Sequence, residues 1–77
     1  MDTIILEKSD RQEVAAQGEG YSKSPGYTIW IQYGGTKDNY YLAYVEERLL
    51  DTALWFYMQE DNLAVVVIDG DKQTRYK

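Results

Sequence analysis

The sequence predicts an α+β domain, an antiparallel β-sheet of about four strands with one long amphipathic helix and a short first helix on one face. Three observations predict it. Residues 46–61 (EERLLDTALWFYMQED) place apolar side chains at helical spacing, residues 27–33 (YTIWIQY) and 40–45 (YYLAYV) read as strands around a glycine-bearing loop, and residues 63–68 (LAVVVI) form a short apolar run. The order strand, short helix, strand, strand, long helix, strand is the β-α-β-β-α-β order of the ferredoxin-like arrangement. The alternative is a meander crossed by one helix, with residues 9–26 mostly irregular.

At about 100° per residue, a wheel begun at Glu46 gathers Phe56, Leu49, Ala53, Tyr57, Leu50, Leu54 and Met58 into one arc. The arc is roughly half the circumference, which suits a helix lying flat on a sheet rather than touching one neighbour along a seam. Glu47, Arg48, Asp51, Thr52 and Gln59 take the opposite face, with Trp55 among them. Glu46 and Glu47 fall in the first turn, where carboxylates complement the helix dipole, and Asp61-Asn62 supplies a stop.

Residues 3–8 (TIILEK) suit a strand. Ser9 with Gln12, or Asp10 with Glu13, has capping-box spacing, so residues 9–17 are expected as a short helix ending at Gly18. Residues 18–26 (GEGYSKSPG) read as a surface loop, lacking the third glycine of a dinucleotide loop and the glycine before the lysine of a P-loop. Beyond it, residues 34–39 close a hairpin. If Tyr33 faces Tyr40, the core face of that hairpin holds Tyr27, Ile29, Ile31, Tyr33, Tyr40, Leu42 and Tyr44. The other face then holds Thr28, Trp30, Gln32, Tyr41, Ala43 and Val45, and a one-residue slip in the second strand would exchange its two sets. Residues 63–68, apolar on both faces, are expected as a central strand. Asp69-Gly70-Asp71-Lys72 is a turn signal, and residues 73–76 are expected as a polar edge strand.

With 77 residues the chain is expected to be one domain, residues 1–77. Folding a chain of this size hides roughly 60 to 65% of its accessible surface. No cysteine is present to add a disulfide or a thiolate metal site. A reducing compartment fits that composition, and with no leader pattern and no apolar run of about 20 residues the expected location is cytoplasmic. The net charge of −5 and pI near 4.5 disfavour binding to a phosphate backbone. A basic protein surface is the more natural partner, although modest net charge also keeps small domains soluble.

The chain has no histidine and no cysteine, so it lacks the commonest general base and the strongest nucleophile. Ser9, Ser22 and Ser24 have no histidine to activate them. Glu46 and Glu47 diverge by about 100° on a helix, and Asp69-Gly70-Asp71 does not match an EF-hand loop. No catalytic, cofactor-binding or metal-ligating residue is therefore expected, nor an enzyme. What remains is aromatic richness, with 8 tyrosines, 2 tryptophans and 1 phenylalanine. Exposed tyrosine and tryptophan anchor protein interfaces. The candidate partner-binding residues are Trp30, Tyr41, Glu47, Asp51 and Trp55.

Three functional readings follow. The first is a small acidic, non-enzymatic module that binds a larger protein. Such a module, with Glu46, Glu47, Asp51, Glu60 and Asp61 in the contact, resembles in type a phage-encoded inhibitor occupying a basic site on a nucleic-acid-handling protein. The second is a homodimer with a structural or assembly role, formed through the sheet face around Trp30. The third is single-stranded nucleic-acid binding by Trp30 and Tyr41.

Overall fold

A computed structural model of the chain describes residues 1–9 and 25–77. Five strands form one mixed sheet: β1 (Asp2–Ser9), β2 (Gly26–Gln32), β3 (Asn39–Glu46), β4 (Leu63–Asp69) and β5 (Lys72–Arg75). Their spatial order is β3-β2-β1-β4-β5. The pairings of β1 with β2, β2 with β3 and β4 with β5 are antiparallel, whereas β1 and β4 run parallel, with Ile4 opposite Val65.

The α+β class is as expected, and the arrangement of strands is not. In a ferredoxin-like sheet the chain crosses over after β1 and returns parallel to it. Here β2 returns antiparallel beside β1, so β1, β2 and β3 form the meander of the alternative reading. The one crossover between parallel strands runs from β3 to β4 and carries the helix. The short helix and most of the loop expected over residues 9–26 lie outside the described residues.

Side chains alternate between the faces of a strand, and on one face Ile4, Leu6, Tyr27, Ile29, Val65 and Val67 form the buried core. β4 is inner, as its apolar composition implied, and four of its seven residues, Ala64, Val65, Val66 and Val67, are buried.

The helix is shorter than its periodic pattern. Strand β3 continues through Glu46, a single 3-10 turn follows at Glu47–Leu49, and α1 spans Leu50–Met58, nine residues. It ends before Asp61-Asn62 because the Gln59 and Glu60 amides close tight turns onto the Phe56 and Tyr57 carbonyls, at 3.3 and 3.2 Å. The Lys77 ammonium donates to the Met58 and Glu60 carbonyls, a cation placed at the negative end of the helix. Leu50, Ala53, Leu54, Tyr57 and Met58 pack on the core as the wheel predicts. Leu49 and Phe56, expected in the same arc, stay exposed.

A bulge reverses the expected faces in the second half of β3. The register with β2 shifts between Ile29 and Trp30, so Ala43 lies opposite Ile29 while Tyr41 lies opposite Trp30, and Leu42 is the extra residue. Ala43 and Val45 therefore pack toward the core and Tyr44 joins Thr28 on the far face, the opposite of the unslipped alternation. Gly26 makes room for this. A Cβ there would stand within van der Waals overlap of the Val45 carbonyl oxygen, a backbone atom that cannot step aside, and 2.6 Å from the end of the Tyr44 ring, so the position needs glycine. The expected pairing of Tyr33 with Tyr40 is not the register, since Tyr40 lies opposite Ile31; the two tyrosine rings touch nonetheless, with centroids 5.7 Å apart.

The β4–β5 turn behaves as its sequence reads. Asp69 pairs with Lys72, and of the two loop residues only Gly70 has positive φ (63°), the pattern of a II′ hairpin turn.

Candidate interaction surface

Two surfaces carry the five candidate residues, and they lie on opposite sides of the sheet. On the far face, Trp30 stands directly opposite Tyr41, their rings in an edge-to-face contact with centroids 6.2 Å apart. The Trp30 indole N–H donates to a Glu7 carboxylate oxygen at 3.2 Å. Trp30 is half-buried, and Thr28, Ala64 and Val66 on the same face are buried. The polar edge of this tryptophan is already engaged within the chain.

On the helix side, Glu47, Asp51 and Trp55 are exposed, Trp55 by 65%. Glu47 lies 3.9 Å from the Lys8 ammonium, and Glu46 accepts a hydrogen bond from the Arg48 guanidinium at 3.0 Å. Both pairs are exposed, and such pairs contribute about 0 to 1 kcal/mol. Among the described residues Asp51 has no cationic partner. Trp55 contributes only its backbone carbonyl, which accepts from the Gln59 amide at 3.2 Å.

The residue pattern did not single out one concave feature on this side. A groove of about 310 Å³ runs between the helix and the β3 edge of the sheet. Ile29, Ala43 and Val45 of the strands form its floor, and Leu49, Thr52, Ala53, Phe56 and Tyr57 its helical wall. α1 packs across both β4 and β3, and the groove lies along its β3 flank. Phe56 is 58% exposed on the rim, its ring edge-to-face with Tyr57 at 5.1 Å. Leu49, and beyond the strand edge Leu42 and Tyr40, continue the apolar surface. The wheel gave the width of the apolar arc but not the sideways placement of the helix on the sheet, and that placement makes the groove.

No family model matches the chain, and no curated protein or solved structure is significantly similar to it.

Two tyrosines beneath the helix are perturbed. Burial raises the pKa of Tyr57 above the usual tyrosine value. Tyr27 is raised chiefly by burial and then by the negative charge of Asp69, with Lys8 opposing. Both phenols therefore stay neutral well above neutral pH, and neither serves as a base there. Among the described residues no three acidic side chains gather where a metal ion would be held, and no helix is long and apolar enough to cross a membrane.

Proposed function

We propose that the chain is a small acidic, non-enzymatic module that binds a larger protein through the α1–β3 side of the molecule. The observation that carries this reading is the apolar groove between helix and edge strand, open to solvent and rimmed by Phe56 and Leu49. Exposed aromatic and aliphatic side chains around a concave apolar floor are what an interface centre requires. Exposed carboxylates beside it, Glu47 and Asp51 among them, favour a partner with a basic surface around its apolar anchor. An inhibitor that occupies a basic site on a nucleic-acid-handling protein is the narrower form of the same reading.

The far face supports the other two readings less well. A nucleic-acid platform at Trp30 and Tyr41 would set phosphates near the Glu7 carboxylate that holds the indole. A homodimer through the same face would have to use Trp30 only half-exposed.

The test is paired capture from a native lysate with wild type, Phe56→Asp and a distant control, Gln73→Asp, each first shown to melt cooperatively. The expected result is a basic partner retained by wild type and Gln73→Asp and lost with Phe56→Asp. Identical captures for all three variants would overturn the reading. A partner lost below 50 mM salt and gained at high salt would remove its electrostatic part.

A further inference from the structure

We propose that the cavity between the β4–β5 hairpin and the start of α1 binds a small neutral polyol, a single sugar ring, through hydrogen bonds to Tyr27, Thr74, Tyr76, Asp69 and Lys72. The site lies on the other flank of the helix from the groove, and the proposal is independent of the binding-module reading. The cavity holds about 170 Å³, and Leu50 and Val67 complete its wall. Strand alternation brings these groups together. Val67 lies opposite Thr74 and Asp69 opposite Lys72, so Lys72, Thr74 and, two residues on, Tyr76 fall on the face that carries the core.

Tyr27 is the group that points to a ligand. The residue is only 5% exposed, yet among the described residues its hydroxyl has no hydrogen-bond partner and, unlike Thr28 Oγ1, it is not sealed from solvent. A buried tyrosine ordinarily finds a partner for that hydroxyl. The Asp69 charge acts on the same phenol, which sets the hydroxyl toward the Asp69 end of the cavity, where it can both donate and accept.

Room decides the size of the guest. One water needs about 10 to 15 Å³ and a cavity of about 150 Å³ accepts a six-membered carbon ring, whereas sites for drug-sized molecules begin near about 300 Å³. The cavity is thus too large for a lone water and matches one ring. Charge decides its kind. Asp69 stands opposite Lys72, and Lys8, opposite Tyr27, is paired with Glu47 at 3.9 Å. Each carboxylate has an ammonium beside it, so the cavity is electrically balanced and gains little from a net-charged guest. Three hydroxyls, a carboxylate and an ammonium supply the donors and acceptors that neighbouring hydroxyls of a sugar use, and Leu50 and Val67 offer its C–H face an apolar wall.

The probes are D-glucose, D-galactose and D-ribose, with inorganic phosphate, ethylammonium and glycine as charged controls, each titrated at constant ionic strength while backbone amides are followed by NMR. At least one sugar is expected to give saturable shifts at Tyr27 and residues 67–76, with a dissociation constant on the order of 1 mM. The charged controls are expected to bind at least tenfold more weakly. Tyr27→Phe removes only the hydroxyl and is expected to weaken the bound sugar at least threefold, the loss of one neutral hydrogen bond. Thr52→Val, on the groove flank of the helix, should leave the affinity within twofold.

No saturable shift with any of the three sugars would overturn the proposal, as would an equal response to phosphate, ethylammonium or glycine. Shifts confined to the α1–β3 groove or to the Trp30 face would do the same, and so would less than threefold weakening in a Tyr27→Phe protein that still melts cooperatively. The wild-type titration needs no variant, so it decides the matter even if Tyr27→Phe fails to fold. Loss of partner capture in Phe56→Asp is a separate result at the groove and stands whether or not the sugars bind.

Discussion

β3 and β5 are the two outer strands of one sheet, and they meet solvent in different ways. β5 is four residues long, about 13 Å at strand rise, and carries Lys72 and Arg75. β3 is twice that length and uncharged over most of it, with an apolar groove alongside. Short length and lysine or arginine are devices that keep an edge from pairing with another chain. β5 has both, whereas β3 has only the bulge at Leu42. The contrast teaches that the exposure of β3 is local. Among the described residues the charged, short strand lies at one edge of the sheet and the long, mostly uncharged one at the other, next to the groove beside the helix.

The largest expected effect tests whether β3 stands on firm core. Ile29 is 2% exposed, pairs with Leu6 on one side and Ala43 on the other, and floors the groove. Ile29→Ala is expected to cost about 2 to 5 kcal/mol in urea unfolding, against less than about 0.5 kcal/mol for Thr74→Ala on β5. Equal losses would mean that the two edges lean on the core alike, and the comparison would fail at its base.

That asymmetry was only partly legible in the sequence. The helix was legible because a 3.6-residue period is a local signal, and five residues of its arc do pack on the core. Its start was not, because residues 46–49 satisfy a helical wheel equally well whether they are strand end, 3-10 turn or helix. The central position of β4 could be read from LAVVVI. Its parallel pairing with β1 could not, since that contact joins residues some sixty positions apart and leaves no local trace. The faces of residues 42–45 were misread because a bulge inserts one residue without altering composition. Its one visible correlate is Gly26, whose missing Cβ admits the Tyr44 ring on the face that the bulge gives it. The groove was hidden for the same reason as the helix start. It depends on where the rod lies, which periodicity does not encode.

A middle-sized effect separates the β5 flank by pH. Tyr27 borders a cavity of about 170 Å³ on that side, together with Asp69, Lys72 and Tyr76. Its folded pKa is raised by burial and by Asp69, while in the unfolded chain it ionises near 10. Its stabilising contribution is therefore complete below pH 10 and declines as pH rises from there through the folded value. Wild type is expected to lose stability progressively above pH 10, and Tyr27→Phe to lose less over the same interval, measured as urea midpoints at pH 8 to 11. Parallel curves for the two proteins would remove Tyr27 as the source.

The smallest expected change in stability concerns the charges of β5. In Lys72→Thr/Arg75→Thr the cations of β5 are gone while its length and neighbours remain. Both side chains are exposed, so unfolding stability should move by less than about 0.5 kcal/mol. β5 has half the residues of β3, and the cavity beside β5 is smaller and lined in part by Asp69 and Lys72, whereas the groove beside β3 has no charged residue in its lining.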